Sequence, residues 1–309
     1  TADNVKIALG ATTRESVLKV DMSDNEKATA VFFNNAGTTP FVVNNFNLTS
    51  TNGKKNNLVF IKDGVVKLDG TTSGKLTITK GESNVGIYTE ATDNLTTAAE
   101  IKIDDSNSST AIFAKKTGTI TNTGDISVTG KSVKAIIADQ KDITSSGKIT
   151  LSGTALSETD GAVGLVAQNG GKITSTGLTS ISVDGSASID AYSNNGTLDL
   201  TNVTLKATNG AFNTYASNNG VVKLNTATLN TGQKSLAFFV DNTGKIEFTG
   251  ATTANIDGWT NNDPLTRGTA FYYTGSGYSS FTDTDIQTWV GARFANMSNL
   301  TLNMATGSR

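Results

Sequence analysis

The chain has 309 residues, 25 Lys and Arg against 27 Asp and Glu, a net charge of −2, and only 17% charged residues. That balance offers no basic footprint for nucleic acid and no polybasic segment for anionic lipid. With no Cys and no His, a disulfide framework, thiolate or imidazole metal sites and a Ser-His-Asp triad are excluded, and no cofactor is expected.

Elements are read in chain order. Val5–Leu9 and Val17–Val20 predict two strands, a ragged first coil over residues 1–29. Residues 31–33, 41–43 and 46–48 then make a first triple of short apolar runs. The triple recurs: Leu58-Val59-Phe60 leads to Val66-Lys67-Leu68 and Leu76-Thr77-Ile78, and Val85–Tyr88 leads to Leu95 and Ile101-Lys102-Ile103. Residues 111–133, AIFAKKTGTITNTGDISVTGKSV, and the copy that follows, AIIADQKDITSSGKITLSG, are nearly superimposable. Further copies start at Val163, Ile189, Phe212 and Leu236. The second-run anchors Val66, Leu95, Ile120, Ile143, Ile173, Leu198, Val222 and Ile246 recur with a spacing in the mid-twenties.

Each run is too short to bury a face by itself, so the repeats must stack on one another. The runs alternate with period 2 and show almost no helical periodicity. The expected fold is an all-β parallel β-helix with three short strands per coil and about eleven coils. Ile, Leu, Val and Phe face inward, and Thr, Ser, Lys and Asp face outward. Gly and Asn supply corners that need positive φ. Pro40 and Pro264 fall where loops are placed. Residues 30–249 form the regular coils. Residues 250–309 carry coils with a larger excursion at 250–269 and a short helix holding Ile286, Trp289, Val290 and Phe294, capped by Asp283 or Asp285.

The frame G-x-[IL]-x-x-x-G-x-[IL]-x-[VIL]-x-G over Gly118–Gly130 resembles passenger domains of type V bacterial autotransporters. So do the corners Asn195-Gly196, Asn219-Gly220 and Asn242-Thr243-Gly244. The Thr-, Asn- and Lys-rich runs are similar to the very large autotransporter adhesins of fusobacteria. The resemblance covers roughly residues 30–250. It implies right-handed winding, as does the general chirality of parallel crossovers, and export through an outer-membrane barrel to the bacterial surface. It also implies adhesion to host cells or other bacteria. With no signal peptide or barrel in view, the chain reads as a passenger fragment. Protease passengers carry a Gly-Asp-Ser-Gly nucleophile and a His; this chain has neither.

No segment approaches the ~20 apolar residues of a membrane helix, so direct insertion by this segment is not expected. The leading reading is a non-enzymatic adhesive or stalk segment, monomeric, whose partner is a surface protein or glycan. Its candidate contact residues are Trp259, Tyr272, Tyr273, Tyr278 and Trp289, grouped in or beside the largest excursion. The bland reading is that these aromatics plug the end of the coil. The alternatives are a carbohydrate-active β-helix, a polysaccharide lyase or glycosidase, and a toxin passenger. An enzyme would use acids among Asp104, Asp105, Asp257, Asp263, Asp283 and Asp285, all equally readable as solvated turn or capping residues. The corner set Asn195, Asn219, Asn242, Gly196, Gly220 and Gly244 is read as a structural ladder.

Overall fold

The computed structural model describes residues 18–34, 39–69, 74–241, 243–258, 263–274 and 290–309. It is an all-β parallel solenoid of about nine turns, fewer than the spacing suggested, with almost no helix. Each run hydrogen-bonds to its counterpart one repeat along. First runs form a ten-stranded parallel sheet from Thr29–Asn34 to Thr269–Thr274. Second and third runs share a 19-stranded sheet.

The second-run anchors fall in one register: Val66 opposite Leu95, then Ile120, Ile143, Ile173, Leu198, Val222 and Ile246. All eight are buried. The reason is local. A β-branched or Leu residue at every second position covers one face of a pleated strand, and a short coil has one core to give it. Stacking then completes two tasks at once. It removes apolar side chains from water at roughly 25 cal/mol per Å², and it pairs the backbone polar groups of all but the end coils.

Buried polar side chains serve the corners. Asn56 Oδ1 accepts the Ala28 amide at 2.8 Å, and Asn84 Oδ1 accepts the Asn56 amide at 2.8 Å. Ser109 Oγ takes over for the Asn84 amide at 3.1 Å. A shorter residue replaces Asn at the next coil, and the donor stays satisfied.

One corner column reads Gly118, Lys141, Gly171, Gly196, Gly220 and Gly244, each immediately before a second run. Lys141 breaks the pattern. It is fully buried, and its ammonium passes beside Gly118 to the carbonyls of Ala91, Thr117 (3.0 Å) and Asp93 (3.3 Å). Burial lowers its pKa to about 8, with the Asp93 carboxylate opposing. Because the folded value lies below the unfolded one, this group's contribution to stability grows as pH rises from about 8 toward the ordinary lysine value. Lys141→Met keeps the bulk and removes the ammonium from the buried Ala91 carbonyl and the part-buried carbonyls of Asp93 and Thr117. A loss of about 2–3 kcal/mol in urea unfolding at neutral pH is expected.

The excursion is narrower than the sequence suggested. Thr252–Ile256 is a strand paired with Val221–Thr231 and Leu300–Met304. Thr252, Ala254 and Ile256 point inward by the same alternation as any other coil. The described loop residues after this strand are 257–258 and 263–268, with a 3-10 turn at Pro264–Thr266 whose Leu265 amide is capped by Asp263. Residues 290–293 are helical. Phe294 belongs to a strand opposite Ile246, not to a helix. Asp283, Asp285, Ile286 and Trp289 lie outside the described residues.

Candidate functional site

Tyr272 and Tyr273 sit on Thr269–Thr274, the last strand of the ten-stranded sheet. Phe271 lies 5.2 Å from the Phe238 ring, nearly parallel, and 5.1 Å from Phe294, edge-on. Phe271, Tyr272, Tyr273, Val290, Phe294 and Met297 line an open apolar cavity of about 290 Å³. Thr269–Thr274 is the last described strand of its sheet, so among the described residues Phe271, Tyr272 and Tyr273 have a paired strand on one side only. Tyr272 is 47% exposed, and Leu265, Met297, Leu302 and Met304 are exposed nearby in sequence. Trp259, Tyr278 and Trp289 lie outside the described residues.

The corner ladder divides its labour. Asn195 and Asn219 adopt left-handed φ of 53° and 64° and make the bend. The residues before them make the axial side-chain bond, Asn218 Nδ2 donating to Asn194 Oδ1 at 2.9 Å. Gly196, Gly220 and Gly244 have ordinary φ; they are small because the previous coil's backbone lies against them. Asn242 lies outside the described residues.

A feature the sequence reading missed runs along the outside of the ten-stranded sheet. Phe32 pairs with Phe60, Phe60 with Tyr88, and Tyr88 with Phe113. Ile137 and Val166 continue the line in register, Val166 being only 6% exposed. Tyr192, Tyr215, Phe239 and Tyr272 complete it. Adjacent rings lie 4.3 to 5.4 Å apart, centroid to centroid. Tyr215 and Phe239 are stacked at 16°, so each covers a face of the other. By contrast, the outward line of the second runs is Thr96, Thr121, Thr144 and Thr174, followed by Asp199, Lys223 and Glu247.

Two tyrosines in the stripe satisfy their hydroxyls on their own rod. Tyr88 Oη donates to Glu90 at 2.5 Å and Tyr215 Oη to Asp241 at 3.3 Å. Burial, with Glu90 adding, raises Tyr88 well above the ordinary tyrosine range. Burial and the Asp241 charge push Tyr215 up to about 12. Both stay protonated at any physiological pH.

Acids elsewhere do not converge. Asp104 accepts from Thr129 (3.0 Å) and pairs with Lys102 (3.3 Å), contacts that hold its carboxyl below the usual range. Glu100 pairs with Lys75 at 3.5 Å. Asp105 takes a left-handed bend, Asp257 lies at the start of the loop, and Asp263 caps the 3-10 turn. Among the described residues, no group of acids could hold a metal ion. Comparison with known proteins gives no match: no family profile, curated protein or solved structure aligns significantly with this chain.

Proposed function

We propose that this chain is an adhesive segment of a bacterial autotransporter passenger: a right-handed rod with three strands per coil, exported to the cell surface. Its partner is a protein or glycan on host cells or other bacteria. The observation that carries the reading is the open apolar cavity that Tyr272, Tyr273 and Met297 help to line, with Tyr272 and Met297 exposed at it. Exposed apolar patches rimmed by polar residues mark contact surfaces, and a tyrosine brings large area at low entropic cost. The strand-face carboxylates described above are tied to lysines and threonines, which favours contact over catalysis.

The test is attachment of the intact chain to host-cell and bacterial surfaces beside a Tyr272→Ser/Met297→Ser variant. Both residues are exposed, so the variant is expected to fold as the wild type does and to attach about fivefold or more weakly. Equal attachment removes this site. No attachment by the wild-type rod removes the adhesive reading. Release of sugar from a glycan panel replaces it with the carbohydrate-active one.

A further inference from the structure

We propose that the aromatic stripe is the interface of an antiparallel dimer, its occupant a second copy of this chain. The interface shares only Tyr272 with the adhesive reading, and it is tested at Phe60, Tyr215 and Phe239, which that reading does not use. Three observations carry it.

The first is the order of the ladder. Along the rod it reads four aromatics, two aliphatics, four aromatics. A two-fold axis between Ile137 and Val166 exchanges the two arms. Phe60 then faces Phe239 of the second copy, and Tyr88 faces its Tyr215. The ends match as well: Phe32 is 52% exposed and Tyr272 47%. An isologous interface requires self-complementarity of this kind.

The second is area. Ten strands at ~4.8 Å spacing, each about 20 Å long, give a strand face of ~860 Å², of the order of the ~800 Å² per partner of a standard stable interface. Within it the stripe is the apolar centre, joined toward one end by Val163, Phe212 and Leu236 and flanked by polar positions such as Lys62, Glu90 and Asp139.

The third is polar accounting. The hydroxyls of Tyr88 and Tyr215 donate to carboxylates of their own rod, so drying the stripe strands neither of them. A sugar chain is the weaker occupant, because where rings stack, as Tyr215 does on Phe239, their faces are already covered by one another. The sequence reading expected a monomer.

The experiment is sedimentation equilibrium of the full chain from about 1 to about 100 μM, with a cross-linking arm. The chain has no Cys, so single introduced cysteines report geometry directly. Mixed Phe60→Cys and Phe239→Cys copies are expected to give a disulfide-linked pair. Phe60→Cys alone is expected to link poorly, its two copies lying ~34 Å apart across the axis. Phe60→Lys/Tyr215→Lys, both outward positions, is expected to keep the wild-type circular dichroism and weaken dimerisation by about tenfold or more. A monomeric mass throughout, open-ended assembly, preferential linking of Phe60→Cys to itself, or dimerisation indifferent to the double lysine variant overturns the proposal. So does a monomer that binds a glycan through the stripe.

Discussion

Gly220→Val is expected to cost about 4 kcal/mol or more in urea unfolding followed by circular dichroism. The cause is proximity, not backbone freedom. Gly220 has no left-handed φ. A Cβ placed on it meets the carbonyl oxygen of Ser193 in the preceding coil, the Ser193 carbonyl carbon at 2.6 Å and the Ser217 oxygen at 2.7 Å. All three are backbone atoms and cannot rotate away. Three backbone bonds converge there: Gly220 amide to Ser217, Val221 amide to Gly196 and Lys245 amide to Gly220. Separating the coils to admit a side chain loosens them together, and in a solenoid each coil holds only its neighbours. Gly170→Asn is the control. Gly170 has φ of 87° with nothing within 4 Å of a built Cβ, a conformation Asn adopts cheaply, so a loss under about 1 kcal/mol is expected. Equal losses at the two sites would show that conformation, not stacking distance, governs these corners.

The inward ladder was legible because its rule is one-dimensional. Ile120, Ile143 and Ile173 recur at intervals that differ only by loop length, each is followed by Thr, and they do stack in register. The outward stripe was not legible for a specific reason. In the first runs alternation fails: Asp190 and Ala191 are consecutive and both buried, and Tyr192 then faces out. Ile112 pairs with Ile136 while Ala111 beside it falls outside the paired register, yet both Ala111 and Ile112 are buried. With two adjacent inward residues, parity inverts, and the aromatic after them is read as core when it is surface. Only the pairing register tells the two apart. The excursion was misjudged through composition: Ala, Thr and Gly around 250–256 look like loop, yet Thr252, Ala254 and Ile256 fill inward positions. The candidate aromatics were partly placed, with Tyr272 and Tyr273 on the last described strand of the ten-stranded sheet.

The same parity inversion buries a carboxyl. Asp190→Asn is expected to stabilise the rod at neutral pH, by on the order of 2 kcal/mol, and to change little near pH 3. Asp190 is 0% exposed. Its Oδ2 accepts from Asn213 Nδ2 at 2.8 Å, and Asn213 Oδ1 accepts from Thr231 at 2.6 Å. Its Oδ1 has no hydrogen-bond partner among the described residues. Burial therefore holds the carboxyl well above the usual range, and the Asn213 bond opposes this only in part. The folded pKa exceeds the unfolded one, so Asp190's contribution is full below the unfolded value. It is lost as pH climbs from there toward the raised folded value. Asp104 and Glu247 run the other way: their values are lowered, by Thr129 and Lys245 above all, so their contributions fade as pH falls. The measurement is thus a difference, wild type minus variant, of unfolding free energy across pH. A difference that widens with rising pH follows from an uncompensated buried acid. A flat difference would mean that water or a moving side chain reaches Oδ1 and that the core at this coil is not dry.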